Sequence, residues 1–315
     1  MIPIRHWIVV TVSLVGTALL FLGAFLTLPA AGEPAPGYLW VALIGAWIIA
    51  WKSVSVVAEV FDGRRAATPA AALIFGITLL LIWEIVVRGA QISPVILPPP
   101  SAIAARFAAS TDILWADFLQ TAKGVFAGYF IGCTVGFLAA IAIDRSPFLT
   151  RGLLPIGNLV AALPIIGVAP IMVMWYGFDW HSKAAVVIIM CFFPMLVNTV
   201  EGLQAADRMQ KDLMRTYAAS YGQTLMKLRL PAAAPFIFNG LKICSTLALI
   251  GAIVAEFFGT PIVGMGFRIS TEVGRMNVDM VWAEIAVAAI VGSAFYGAVA
   301  LIERAVTFWH PSQRG

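Results

Sequence analysis

The chain has 315 residues, of which 61% are hydrophobic and 11% charged, with a formal net charge of +4. A soluble domain carries roughly 25% charged residues, so this apolar surface exceeds what one soluble core can bury and the bilayer must solvate most of it. The positive balance does not mark a nucleic-acid partner, because the basic residues are scattered between apolar runs, as topology signals are.

Arg5 and His6 precede an apolar run from Trp7 to Leu28. That run is longer than the ~7–15 residues of a signal-peptide core, which predicts an uncleaved first span. Seven further spans are predicted at about 38–57, 70–87, 124–143, 156–176, 184–202, 236–258 and 282–302, each near the ~20 residues a bilayer requires. The fold class is therefore all-α, a polytopic membrane protein of about eight transmembrane helices. An even number of spans puts both termini on one side. Assigning that side to the cytoplasm leaves only Arg88, Arg106, Lys123, Lys183, Arg268 and Arg275 of the 20 basic residues outside, as the positive-inside rule favours.

After the first two spans, residues 61–69 form a short polar hinge and separate a region 1–69 from 70–315. Residues 88–123 are expected to lie outside as a long segment. In it, Leu97-Pro98-Pro99-Pro100 enforces an extended approach, and Ser101 is placed to cap a surface helix at 102–109. Gly124, Gly128, Gly132 and Gly136 then recur every fourth residue, a face that lets another helix approach closely. Pro164 and Pro170 interrupt the span at 156–176, so it should face protein or a pathway that satisfies the freed carbonyls.

The chain offers little to catalysis. It has no phosphate-binding G-x-x-x-x-G-K-[ST], no H-E-x-x-H and no G-x-S-x-G, and His6, His181 and His310 are far apart. No cofactor is expected. Cys133, Cys191 and Cys244 lie in apolar runs without metal-ligand spacing and read as small core residues. Glu84, Glu256 and Glu284 are the ionisable residues nearest to span interiors. Glu84 and Glu284 sit near predicted ends, within reach of water. Glu256 is either a gate or pathway contact or a helix-end carboxylate paired with a local Arg or backbone amide.

The segment 203–235 falls in the cytoplasm and is too long for a simple connection. Leu213, Met214, Tyr217 and Tyr221 can share a helical face while Lys211, Asp212, Arg215 and Gln223 stay polar. A second amphipathic stretch from Thr224 should stop before Pro231. Two short helices joined by a small-residue bend either dock into a soluble partner or lie on the membrane surface.

This segment resembles the cytoplasmic loop of permeases of binding-protein-dependent ABC importers, with its pattern E-A-A-x-x-x-G ending on I-x-L-P. Anchored on Leu230-Pro231, the resemblance puts Asp212 at the acidic position, Leu213 and Met214 at the alanines, Ala218 at the glycine, and Ala219-Ser220 where the family commonly has Ala-Ser. Alanine at 218 argues against a positive φ there, where a Cβ is costly. Leu97-Pro98-Pro99-Pro100-Ser101, Arg145-Ser146-Pro147, Pro164 to Pro170, Phe193 to Thr199 and Gly251 to Phe257 resemble further family segments in order, over about 70–310. The nitrate, sulfonate and taurine branch is the most similar.

The resemblance implies a type I importer core of six helices, preceded by an extra pair at 1–69. It implies a two-fold homodimer in a bacterial inner membrane, two copies of an ATPase beneath it and a substrate-binding protein outside. ATP hydrolysis would then belong to the partner. It assigns Asp212, Leu213, Met214, Arg215, Tyr217, Ala218, Ala219, Ser220, Gly222 and Pro231 to the ATPase-coupling loop, with 212–222 as the docking helix. The solute would be small and polar, with pyrimidine-like, sulfonate and other nitrogen compounds as candidates. The competing class, an ion-coupled secondary transporter, would show internal repeats and midplane ionisable residues.

Overall fold

A computed structural model describes residues 4–28, 36–60, 67–146, 148, 152, 164–259 and 262–309. The described residues contain helices and turns and no strand. In chain order the helices are α1 (Ile4–Leu26), α2 (Gly37–Val60), α3 (Ala67–Gly89), α4 (Pro100–Ala109), α5 (Thr111–Arg145), α6 (Ile165–Tyr176), α7 (Trp180–Gln204), α8 (Arg208–Thr216), α9 (Tyr221–Thr224), α10 (Leu230–Glu256), α11 (Met265–Gly274) and α12 (Val278–Val306). Six helical stretches among the described residues are long and apolar enough to cross a membrane, and Val15–Leu26 and Ile166–Tyr176 are shorter apolar helices. The span expected at 156–176 is described only from Pro164, and residues 61–66 of the polar hinge lie outside the described residues.

The chain forms two compact units. The first comprises 1–109 with 276–280. In it Phe21, Ala24, Leu39, Leu43, Ala46 and Ile85 from α1, α2 and α3 make one core. Ser101 does not cap α4 as expected, because the helix already begins at Pro100. Glu84 of α3 takes the capping role: its carboxylate accepts from the Ser101 backbone N–H at 2.9 Å and from the Ser101 hydroxyl at 2.7 Å, and it pairs with Arg88 at 2.5 Å. A carboxylate at a helix N-terminus meets orphan N–H groups and the positive end of the helix dipole. Glu84 is therefore buried and occupied, where the sequence suggested contact with water.

The second unit comprises 110–275 with 281–315. Its centre is the packing of α5, α7 and α10 around Val125, Tyr129, Cys133, Val187, Cys191, Met195, Cys244 and Ala248. The glycine stripe on α5 makes the close approach possible. A Cβ on Gly128 would fall 2.4 Å from the Val187 Cβ, and one on Gly136 2.6 Å from the Phe192 carbonyl oxygen. The Tyr129 hydroxyl donates to the Leu241 carbonyl at 3.2 Å and ties α5 to α10.

Helix α5 is longer than the span expected at 124–143, because it already begins at Thr111. Nothing between 111 and 123 breaks a helix, and Asp112 in the first turn suits the dipole. The segment expected between the spans is thus shortened by a helix that begins 13 residues before the expected span start, at Thr111 instead of 124.

Candidate functional site

The cytoplasm-assigned segment folds as predicted in outline and differs in detail. The docking helix expected over 212–222 is two helices with a sharp bend between them. Asp207 caps α8, its carboxylate accepting from the Met209 N–H at 3.4 Å. Asp212 therefore lies past the first turn. It pairs with Arg215 at 3.4 Å, and its carbonyl accepts from the Thr216 hydroxyl. No residue of α8 is buried, and Met209, Leu213 and Tyr217 at successive fourth positions expose 78%, 55% and 78% of their surface. Met214 is half-buried, so it and Leu213 do not share one exposure.

Helix α8 ends in a Schellman motif, in which the chain turns through a left-handed residue and closes two orphan carbonyls. The Ala218 N–H donates to the Arg215 carbonyl at 2.9 Å and the Ala219 N–H to the Met214 carbonyl at 3.0 Å. Ala218 has φ +54, contrary to the expectation drawn from its being alanine. The two closing hydrogen bonds outweigh a Cβ penalty of about 1–2 kcal/mol. Ser220 then caps α9 in a reciprocal capping box with Gln223, the Ser220 N–H donating to Gln223 Oε1 at 2.8 Å. Gly222 lies within α9 and faces open space.

Pro231 does not end this helix. A π-helical turn at Leu225–Arg229 leads into α10, and the Leu230 N–H reaches back to the Leu225 carbonyl. The wider turn shifts the hydrogen-bond register just before the proline, whose missing N–H then falls in the first turn of α10, where it costs little. Helix α9, the π turn and α10 thus run as one rod from Tyr221 to Glu256.

A part-buried ion pair missed from the sequence anchors that rod. Asp144, at the end of α5, accepts from both terminal nitrogens of Arg229, at 2.6 and 2.5 Å, and from the Tyr221 hydroxyl at 3.0 Å. Arg229 Nε also donates to the Leu203 carbonyl at the end of α7. The Arg145 guanidinium stacks 5.6 Å from the centre of the Tyr221 ring. The adjoining Asp144-Arg145 at a span end was the available signal, but their partners lie far along the chain.

Of the three residues assigned to a gate or pathway, Glu256 sits at the opposite end of the rod. Glu256, the last residue of α10, is only 2% exposed. It accepts from the Gly266 N–H at 2.7 Å and lies 2.8 Å from the Thr121 hydroxyl, which itself accepts from the Met265 N–H at 3.0 Å. Asp117, fully buried, accepts from the Gly264 N–H at 2.7 Å and from Arg268 at 2.7 Å. Lys183 donates to the Phe178 carbonyl at 2.5 Å and to the Gly259 carbonyl. Together they pin the turn between α10 and α11 onto α5, so Glu256 meets a backbone amide as one of its two sequence readings required. Glu284 is buried beside this network, where the sequence suggested a water contact. Pro164 precedes α6 and is exposed, and Pro170 lies inside α6, next to Ala169, which shares a buried apolar cluster with Met172, Val186 and Ala255.

The chain's similarities agree with this architecture. Residues 132–308 match the family described as binding-protein-dependent transport system inner membrane component. A probable ABC transporter permease protein of Haemophilus influenzae is 30% identical over 71% of this chain and 91% of its own length. This chain belongs to that family. The formylaminopyrimidine transport permease protein ThiX of Halalkalibacterium halodurans is 29% identical, over 76% of this permease and 96% of the relative. The taurine transport system permease protein TauC of Escherichia coli is 27% identical, over 74% and 86%. The chain is thus the transmembrane permease subunit of an ABC importer for small solutes and a multi-pass inner-membrane protein. Permeases of this kind work with an ATPase and a substrate-binding protein.

Proposed function

We propose that this permease couples to its ATPase through α8, the Ala218 bend and α9. The carrying observation is an amphipathic helix with no buried residue, held at a fixed angle by a Schellman bend and tied through Asp144 and Arg229 to the ends of α5 and α7. A helix that buries nothing of its own, on a mount this rigid, suits insertion into a partner's groove. Force applied there passes along the rod 221–256 to the network at Glu256. Asp212, Leu213, Met214, Arg215, Tyr217, Ala218, Ala219, Ser220 and Gly222 form the contact region, and Pro231 lies in the rod behind it. ATP hydrolysis belongs to the partner, two ATPase copies serve a homodimer, and both termini are cytoplasmic. The solute is small and polar, and the relatives' formylaminopyrimidine and taurine favour nitrogen compounds and sulfonates. Residues 1–69 are an added pair of helices outside a core at 70–315, a division favoured by relatives matched almost whole while about a quarter of this chain is left over.

Replacing the exposed Ala218 with Trp tests the coupling surface. Ala218→Trp should insert and dimerise normally, yet lose ATPase binding and substrate-stimulated hydrolysis, because overpacking a close joint costs about 1–3 kcal/mol. Wild-type ATPase binding and uptake by a correctly inserted variant would remove α8 and its bend from the coupling role. Cysteine labelling tests the orientation: positions 208–215 should react only from the cytoplasm and 100–110 only from outside. Truncation of 1–69 should leave ATPase association intact.

A further inference from the structure

Three thiols meet in the centre of the second unit. Cys133 on α5, Cys191 on α7 and Cys244 on α10 are 5%, 0% and 0% exposed, and their sulfur atoms all lie within 4.8 Å of one another. Their separation along the chain hides this grouping, and the glycine stripe creates it: a Cβ on Gly132 would come 3.1 Å from the Cys191 Cβ. The Cys244 thiol donates to the Cys191 carbonyl at 3.2 Å, and the Cys191 thiol to the Cys244 carbonyl at 3.6 Å. These are weak bonds that a stronger ligand can displace. An apolar groove of about 460 Å³, lined in part by Cys133 and Met195, leads to the cluster.

We propose that these three thiols bind a single soft monovalent metal ion of the Cu(I) type. Metal–sulfur bonds of ~2.3 Å around a trigonal centre set the sulfurs about 4 Å apart, so small side-chain rotations close the ring. The donor set is sulfur only, which selects soft ions over those that favour carboxylate or imidazole. Charge favours a monovalent ion. A Cu⁺ that displaces one thiol proton leaves the net charge of the apolar core unchanged, and an uncompensated charge there is costly. Zinc would instead call for two thiolates and a fourth ligand. An occupied site joins α5, α7 and α10, the helices that also carry the coupling rod and its anchors.

The test uses the purified permease with its ATPase, kept anaerobic and reduced with a phosphine. Cu(I) is titrated against a chromophoric Cu(I) chelator. One equivalent of copper per permease chain should remain bound, with X-ray absorption showing a sulfur-only shell. Cys133→Ser, Cys191→Ser and Cys244→Ser should each weaken retention by at least about tenfold. The wild-type titration and spectrum stand without the variants, should one of these fail to fold. No retained copper, a nitrogen or oxygen shell, or equal retention by a folded triple serine variant would overturn the site. So would alkylation mass spectrometry showing two of the three thiols already joined in the native protein.

Discussion

At Gly128, Gly132 and Gly136 the side chain is missing because another helix occupies its place. At Ala218 a side chain is present although the backbone there favours none. Both positions look alike in a sequence, as small residues at a turn or on a helix face. In the core the constraint is volume: the α7 backbone and the Val187, Cys191 and Met195 side chains fill the space of the absent Cβ atoms. At the bend between α8 and α9 the constraint is conformation: Ala218 is exposed and has room, but its φ of +54 carries a local strain. Smallness therefore means close packing between the spans and a fixed left-handed bend in the segment that joins them.

The contrast sets the expected order of effects. The largest belongs to Gly128→Leu. A Cβ already overlaps Val187 and the Ala184 carbonyl, so the penalty should exceed the about 1–3 kcal/mol typical of overpacking. Thermal unfolding in detergent should show a severely destabilised or unassembled protein. A stable Gly128→Leu permease would mean that α5 and α7 can separate without cost.

Glu256 comes next, and the replacement decides the outcome. In Glu256→Gln the amide oxygen can accept from Gly266 while its NH₂ donates to the Thr121 oxygen, whose proton turns to the Asp117 carbonyl 3.1 Å away. Uptake should then stay within a few-fold of wild type. Glu256→Ala strands the buried Gly266 N–H, a loss of about 1–3 kcal/mol, and should lower the melting temperature. An order-of-magnitude fall in uptake by an assembled Glu256→Gln complex would assign Glu256 a charge-dependent gating role beyond pinning the turn.

The smallest effect is a gain. Ala218→Gly relieves the left-handed strain of about 1–2 kcal/mol but returns about 0.5–1 kcal/mol through the freer unfolded chain. A net stabilisation of at most about 1.5 kcal/mol should follow, read as slower proteolysis at 208–222 with uptake preserved. Faster cleavage in Ala218→Gly would show that the bend is not strained in the assembled protein.

Much of this was legible in the sequence because the bilayer imposes local rules. Runs of about 20 apolar residues mark spans wherever they occur, and the glycine stripe at 124–136 announces a close helix contact by spacing alone. The two short helices and the bend between them were legible in the polar and apolar pattern of 208–224. What periodicity could not give was the fate of individual polar groups. Proline at 231 signals a helix end unless a π turn precedes it, and that turn is visible only in the backbone. Likewise, an alanine at 218 argues against a left-handed bend until the two closing hydrogen bonds are seen.

The sequence by itself determined that this chain crosses a membrane several times, lacks a phosphate-binding loop and carries an ordered amphipathic arm, since each follows from residues adjacent in the chain. Tertiary structure alone decided which distant residues meet: Asp144 with Arg229, Asp117 with Arg268, Glu256 with Gly266, and three cysteines from three helices. The physical reason is that an α-helix satisfies its own backbone and leaves its lateral partners open. Those partners are fixed only when shape, close glycine contacts and buried charges select one arrangement of the helices.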